Sequence, residues 1–231
     1  MSSVTTALPQ TTPALAMIRA LGLVAAICGV IIVTAYQGTY DAVQENKRIA
    51  VERGVFKVIP TAKSIVQFTV LADGRLEKVG AGGTAGQQTG AVKFFAGYDE
   101  AGKLAGIAAE GVAKGYADNV RILFAYDPAA ATVTGFSVVS SRETPGIGDK
   151  IITDKAFLAN FPLEAKVAAD SKSLAHPIRT VKHGSKAQPW EIDAIAGATI
   201  TSRAVGKAID DAAQALLPRI VPHLDSLKDK P

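Results

Sequence analysis

The run "AVKFFAGYDEAGKLAGIAAEGVAKGYADNVRILFAYDPAAATVTGFSVVS", residues 91–140, holds four short apolar or alternating segments. They are AVKFFAGYD, LAGIAAEG, NVRILFAYD and TVTGFSVVS. Between them lie Asp-Glu-Ala-Gly, Gly-Tyr and Asp-Pro, which are turn signals. Segments of this length with short turns between them pair most simply with their chain neighbours, so consecutive antiparallel strands are predicted. Upstream, "SIVQFTVL" (Ser64 to Leu71) is also rich in strand formers, and Ala72-Asp73-Gly74 reads as a turn. "GAGGTAGQQTG" (Gly80 to Gly90) lacks GxGxxG and a Lys-Ser/Thr ending. It is therefore no phosphate loop and reads as a flexible hairpin connection.

Helical patterns lie outside this strand region. "TDKAFLANF" (Thr153 to Phe161) predicts a short helix capped by Thr153 and stopped by Pro162. From Ser202, apolar residues at Val205, Ala208/Ile209, Ala212 and Leu216 predict a helix ending near Pro218. Residues 163–190 are polar and mixed and specify no element. Strand runs with segregated helices define an α+β class, an antiparallel sheet with flanking helices.

The N-terminal part is of a different kind. "ALGLVAAICGVIIVTAYQGTY" (Ala20 to Tyr40) carries no charge, and about 20 such residues at 1.5 Å each cross a bilayer core. Arg19 precedes it, and Tyr36 and Tyr40 stand near its far end, as interfacial aromatics do. One transmembrane helix over 19–38 is predicted. A cleavable signal would have a shorter apolar region, and "VTA" (Val33 to Ala35) fits a cleavage site weakly. Charge does not set the orientation: Lys47, Arg48, Arg53 and Lys57 follow the helix, but a large domain translocates regardless of such charges. "DAVQENKRIAVERGVFKVIP" then continues as an amphipathic helix until Pro60.

Composition excludes several chemistries. The chain has 231 residues, enough for one domain and an anchor, and a net charge of only +4. Its basic residues are interleaved with acids and only 6% of residues are aromatic, which does not make a nucleic-acid surface. The single Cys28 allows no internal disulfide, Cys-based zinc site or iron–sulfur cluster. His176, His183 and His223 have no metal-ligand spacing, so no metal site is expected.

Two loops concentrate small and polar residues. In "RETPGIGDK" (Arg142 to Lys150), Gly146 and Gly148 permit positive φ and Pro145 fixes a bend. Such a loop either brings backbone amides to a flat ligand or serves as an ordinary turn. In "DAIAGATITSRAV" (Asp193 to Val205), Gly197, Ala198 and Thr199 precede a helix. Free amides at a helix start attract phosphate, and Thr199, Thr201 and Ser202 offer hydroxyls. The alternative is that Thr201 or Ser202 merely caps that helix.

Together, "ETPGIGDKI" and "DAIAGATITSRAV" resemble the FMN-binding domain family. "KGYADNVRILFAYD", "YQGTYDAVQENKR" and the single N-terminal apolar helix extend the likeness to the G-subunit branch found in Rnf-type electron-transport complexes. The C-type member of the Na⁺-translocating NADH:quinone reductase is a close relative of that branch. The resemblance implies FMN held covalently by a phosphoester to Thr199, made by a separate flavin transferase with FAD as donor. It places Asp193, Gly197, Ala198, Thr201 and Ser202 around the attachment point, with Asp193 as a recognition residue. It sets Glu143, Thr144, Gly146 and Ile147 beside the flavin ring. No catalytic residue is implied. The sequence departs from the family pattern at Ala196 (usually Ser or Thr), Ser141 (often His) and Ile147 (usually Leu).

The expected organisation is a short cytoplasmic tail (1–18), the membrane helix (19–38) and an extracytoplasmic domain (39–231) whose FMN-binding part covers about 90–217. The expected location is the bacterial cytoplasmic (inner) membrane, with the domain on the periplasmic side. The expected function is electron carriage within an ion-translocating ferredoxin:NAD oxidoreductase, beside other membrane subunits and without independent substrate turnover. The alternatives are the corresponding member of the NADH:quinone reductase, or a non-redox anchored module in which the Ala-Gly-Ala-Thr loop is only a helix cap.

Overall fold

The structure is a computed structural model that describes residues 14–79 and 90–230. The glycine-rich connection expected at Gly80 to Gly90 lies, except for Gly90, outside the described residues. The chain divides into two units, residues 1–48 and 49–231.

The first unit contributes most of helix α1 (Ala14–Val58). This is the one helix among the described residues that is long and apolar enough to cross a membrane. Its side chains from Leu15 to Val33 stand exposed rather than packed in a core.

The second unit is an antiparallel sheet covered on both faces. Strands β1 (Ser64–Val70), β2 (Leu76–Lys78), β3 (Val92–Tyr98), β4 (Leu104–Lys114), β5 (Asn119–Asp127), β6 (Thr132–Ser140) and β7 (Leu163–Glu164) lie in the order β2-β1-β3-β4-β5-β6-β7. The four predicted central strands pair in chain order, as the turn spacing requires. Strand β5 is buried almost continuously from Ile122 to Tyr126 instead of alternating. Both of its faces are covered, which removes the polar half of the strand pattern.

One face lies under helix α4 (Thr199–Ile220), whose Val205, Ala208, Ile209, Leu216 and Leu217 share a core with Phe94, Ile107, Ile122 and Phe124. The other face, at Ala108, Leu123 and Ala125, is covered by Val55, Ile59 and Ala62. Small residues permit both approaches. A Cβ at Gly111 would collide with the Ala208 carbonyl, and one at Gly97 would crowd Ile59 and Ala62. Glycine here is therefore a matter of space.

Several helix expectations are corrected. The segment around 153–161 is two single turns, α2 (Lys150–Thr153) and α3 (Lys155–Leu158). Asp154, not Thr153, caps the second by accepting from the Phe157 amide (2.8 Å), and the helix ends at Leu158, before Pro162 is reached. Helix α4 starts three residues earlier than the apolar spacing indicates, and Pro218 sits inside it. A 3₁₀ turn at Val221–Leu227 follows directly. Pro218 interrupts one hydrogen bond near the end of a well-buried helix, where Leu216, Leu217 and Ile220 continue the packing. The segment 163–190, which specified no element, supplies β8 (Arg179–Val181), paired in parallel with β9 (Glu191–Asp193).

Gly111→Ala forces α4 away from β4. It should destabilise the domain by about 1–3 kcal/mol, a fall in melting temperature on the order of 2–4 °C per kcal/mol. Gly135→Ala, where a Cβ meets nothing within 4 Å, is the control expected to melt near the wild-type temperature.

Candidate functional site

Three chain segments converge on one cavity of about 590 Å³. The β4–β5 turn contributes Tyr116. The loop after β6 contributes Glu143, Thr144, Ile147 and Gly148. The start of α4, with the residues just before it, contributes Gly197, Ala198, Thr199, Ile200 and Thr201. Such a concave, mainly apolar cavity with a few convergent polar groups is how proteins usually hold a cofactor.

Glu143 joins these walls. The residue is only 9% exposed. Oε1 accepts from the Ala117 and Asp118 amides (3.0 and 3.3 Å), and Oε2 accepts from the Tyr116 amide (3.2 Å). The Thr201 hydroxyl donates to Oε2 at 2.5 Å. Burial pushes the Glu143 pKa up, but the Thr201 hydroxyl and the three amides outweigh it, and the carboxyl ends below its ordinary value. Gly115 and Gly148 are the neighbours that leave room for it, since a Cβ at either would strike the Glu143 side chain. Ser141, where the family often has histidine, accepts from the Glu143 amide (3.3 Å).

The loop itself is a tight turn. The Ile147 and Gly148 amides both donate to the Thr144 carbonyl (3.2 and 2.9 Å), and Gly146 takes φ +77°. This leaves Ile147 half exposed at the cavity rim, facing the same opening as the exposed Tyr116 and Ile200.

The start of α4 is open. Its N-cap position is Ala198, with no side-chain cap bond, and Gly197 before it takes φ +80°. The first helical bond is Ser202 amide to Ala198 carbonyl (2.9 Å), so the amides of Thr199, Ile200 and Thr201 precede the helical ladder. The half-buried Thr199 hydroxyl has no hydrogen-bond partner among the described residues. This corrects the cap alternative, because neither Thr201 nor Ser202 caps the helix. Thr201 is turned to Glu143. Ser202 is fully buried, donates to the Ala198 carbonyl (2.9 Å) and accepts from the Ile195 amide (3.1 Å). A hydroxyl so engaged holds the turn before α4, and Ser202 is not among the residues that line the cavity.

Asp193 does not line the cavity either. Its carboxylate accepts from the Gly184 and Ser185 amides (3.0 and 3.3 Å) and shapes the turn after β8. Gly146 is likewise outside the lining, although its φ sets the turn that presents Ile147. Tyr116, Gly148 and Ile200 belong to the cavity and were not singled out as site residues from sequence. The available signal was an aromatic directly after glycine in a strand turn, in "KGYADN".

The cavity fits a flavin mononucleotide in kind: amides and a hydroxyl without partners among the described residues at one side, apolar side chains at the rim. Residues 115–214 match the FMN-binding domain family. The relatives then narrow the resemblance. The G subunit of the ion-translocating oxidoreductase complex of Shewanella baltica is 28% identical over 194 residues, 83% of this chain and 84% of that protein. Its counterpart in Aliivibrio fischeri is 38% identical over 110 residues, 47% of this chain and 48% of that protein. The chain thus spans about half the length of the Aliivibrio relative it matches. Among solved structures, NqrC of Shewanella oneidensis superposes with a TM-score of 0.60 at 22% identity, covering 79% of this chain and 99% of that one. That likeness establishes the fold.

Because the Glu143 carboxyl is held below its ordinary value, its contribution to stability is fully present above the usual glutamate pKa of about 4.3. It is lost as pH falls through the depressed value in the folded chain. Acid unfolding monitored by circular dichroism should therefore show a steeper loss of stability below about pH 4.3 in wild type than in Glu143→Gln.

Proposed function

We propose that this chain is a membrane-anchored electron carrier with covalent FMN, the G-type member of an ion-translocating ferredoxin:NAD oxidoreductase complex. The observation that carries this reading is Thr199. It is the first residue of α4, lines the cavity with a hydroxyl that has no partner among the described residues, and lies within the FMN-binding domain match. The assignment to this complex is supported by G-type relatives at 28–38% identity, whereas NqrC is similar at only 20–22%.

When bound, FMN supplies electron transfer, and the residues of this chain supply its place and surroundings. Thr199 Oγ would hold the FMN phosphate as a phosphoester, made by a flavin transferase from FAD with AMP as the leaving group and the hydroxyl proton released. The first-turn amides and the positive end of the α4 dipole favour the phosphate there. Gly197 and Ala198 keep the approach to Oγ open. Tyr116, Ile147 and Ile200 provide apolar surface at the rim for the ring system. Residues 19–38 anchor the chain in the cytoplasmic membrane, with 1–18 inside and 39–231 on the outer side. A covalent link there prevents loss of the cofactor. Charge transport through the membrane belongs to partner subunits, since the apolar segment from Ala20 to Tyr40 carries no charge. The chain by itself turns over no substrate.

Full-length protein made together with a flavin transferase should give a fluorescent band after denaturing electrophoresis. Its Thr199 peptide should gain the mass of FMN less water. Thr199→Ala should abolish the band with the melting temperature little changed, and Thr199→Ser should retain it. A covalent flavin that survives Thr199→Ala would sink the assignment.

A further inference from the structure

Glu143 has a second consequence beyond holding the cavity together. Its carboxylate is buried in the cavity wall, and among the described residues no lysine, arginine or histidine forms an ion pair with it. Four donors stabilise the charge but do not cancel it: three backbone amides from one turn, and the Thr201 hydroxyl. A net negative charge therefore stands in the wall of a cavity whose lining is otherwise mainly apolar. Charges in such places act more strongly than at a solvated surface.

We propose that the Glu143 carboxylate is a potential-setting group, whose fixed negative charge in the cavity wall holds the reduction potential of the bound flavin low. The proposal rests on the flavin reading above. Each electron delivered to the ring by a reductant raises its negative charge until a proton follows. A neighbouring carboxylate disfavours that step electrostatically. The Thr201 hydroxyl directs its proton at Oε2 and so partly screens the charge. The two residues must then act in opposite senses. Glu143→Gln removes the charge at nearly constant shape; with the amide nitrogen in the Oε2 position, the Thr201 hydroxyl rotates to accept from it and the Tyr116 amide loses its acceptor. Thr201→Val keeps the charge and the volume but removes the screening donor.

Spectroelectrochemical titration of the detergent-solubilised full chain, loaded by a flavin transferase, reads this directly. Glu143→Gln should move the flavin midpoint to more positive values, on the order of a tenfold change in the one-electron equilibrium, about 59 mV. Thr201→Val should move it to more negative values. Loosening of the cavity alone gives no reason for opposite signs. Shifts of the same sign, or no shift in loaded protein, would overturn the proposal. If Glu143→Gln does not retain flavin, Thr201→Val decides: a more negative midpoint supports the proposal and any other result overturns it. Absence of flavin on the wild-type chain is a different failure. It removes the flavin reading itself, and the proposal with it.

Discussion

A buried carboxylate with no cation beside it normally costs several kcal/mol. Glu143 is kept ionised instead by four donors, drawn from the β4–β5 turn and from α4. Hydrogen bonds to a charged group are worth about 1.5–3 kcal/mol each, enough in sum to offset that cost. The shape of the cavity depends on this one cluster. The turn carrying Tyr116, the loop carrying Ile147 and the first turn of α4 meet at a single side chain. Two glycines, 115 and 148, are required because the carboxylate occupies the space beside them.

The cavity thus has two backbone features that attract anions, used differently. The amides of residues 116–118 are filled internally by Glu143. The first-turn amides of α4 are left open, beside a threonine hydroxyl without a partner among the described residues. With an internal anion in the first position, the second remains open. Small residues at 196–198 keep that end accessible, and the absence of a capping side chain at Ala198 serves the same purpose.

Behind the site stands a sheet covered on both faces, by α4 on one and by residues 55–62 on the other. The close approach of α4 over Gly111 places its N-terminal turn against the loops at the end of the sheet. Residues 115–118, 143–148 and 197–201, far apart in sequence, are consequently held on packed elements.

Much of this was legible in the residues themselves. Local turn chemistry and strand-length apolar runs determine the antiparallel order of β3 to β6, because neighbours joined by short turns have few other ways to pair. An uncharged stretch of bilayer length determines the apolar helix, and "ETPGIGDKI" with "DAIAGATITSRAV" marks both loops that line the cavity. Tertiary structure alone decided which members of those loops face the cavity. Asp193 offers a carboxylate and Ser202 a hydroxyl as polar as those of Thr199 and Thr201, but their partners at Gly184, Ser185, Ala198 and Ile195 turn them away. The start of α4 at Thr199, the cap at Asp154 and the role of Tyr116 were hidden for the same reason. A hydroxyl or carboxylate is spent or free according to the donors and acceptors that folding brings within about 3 Å, and residues 58 positions apart, such as Glu143 and Thr201, meet only in the folded chain.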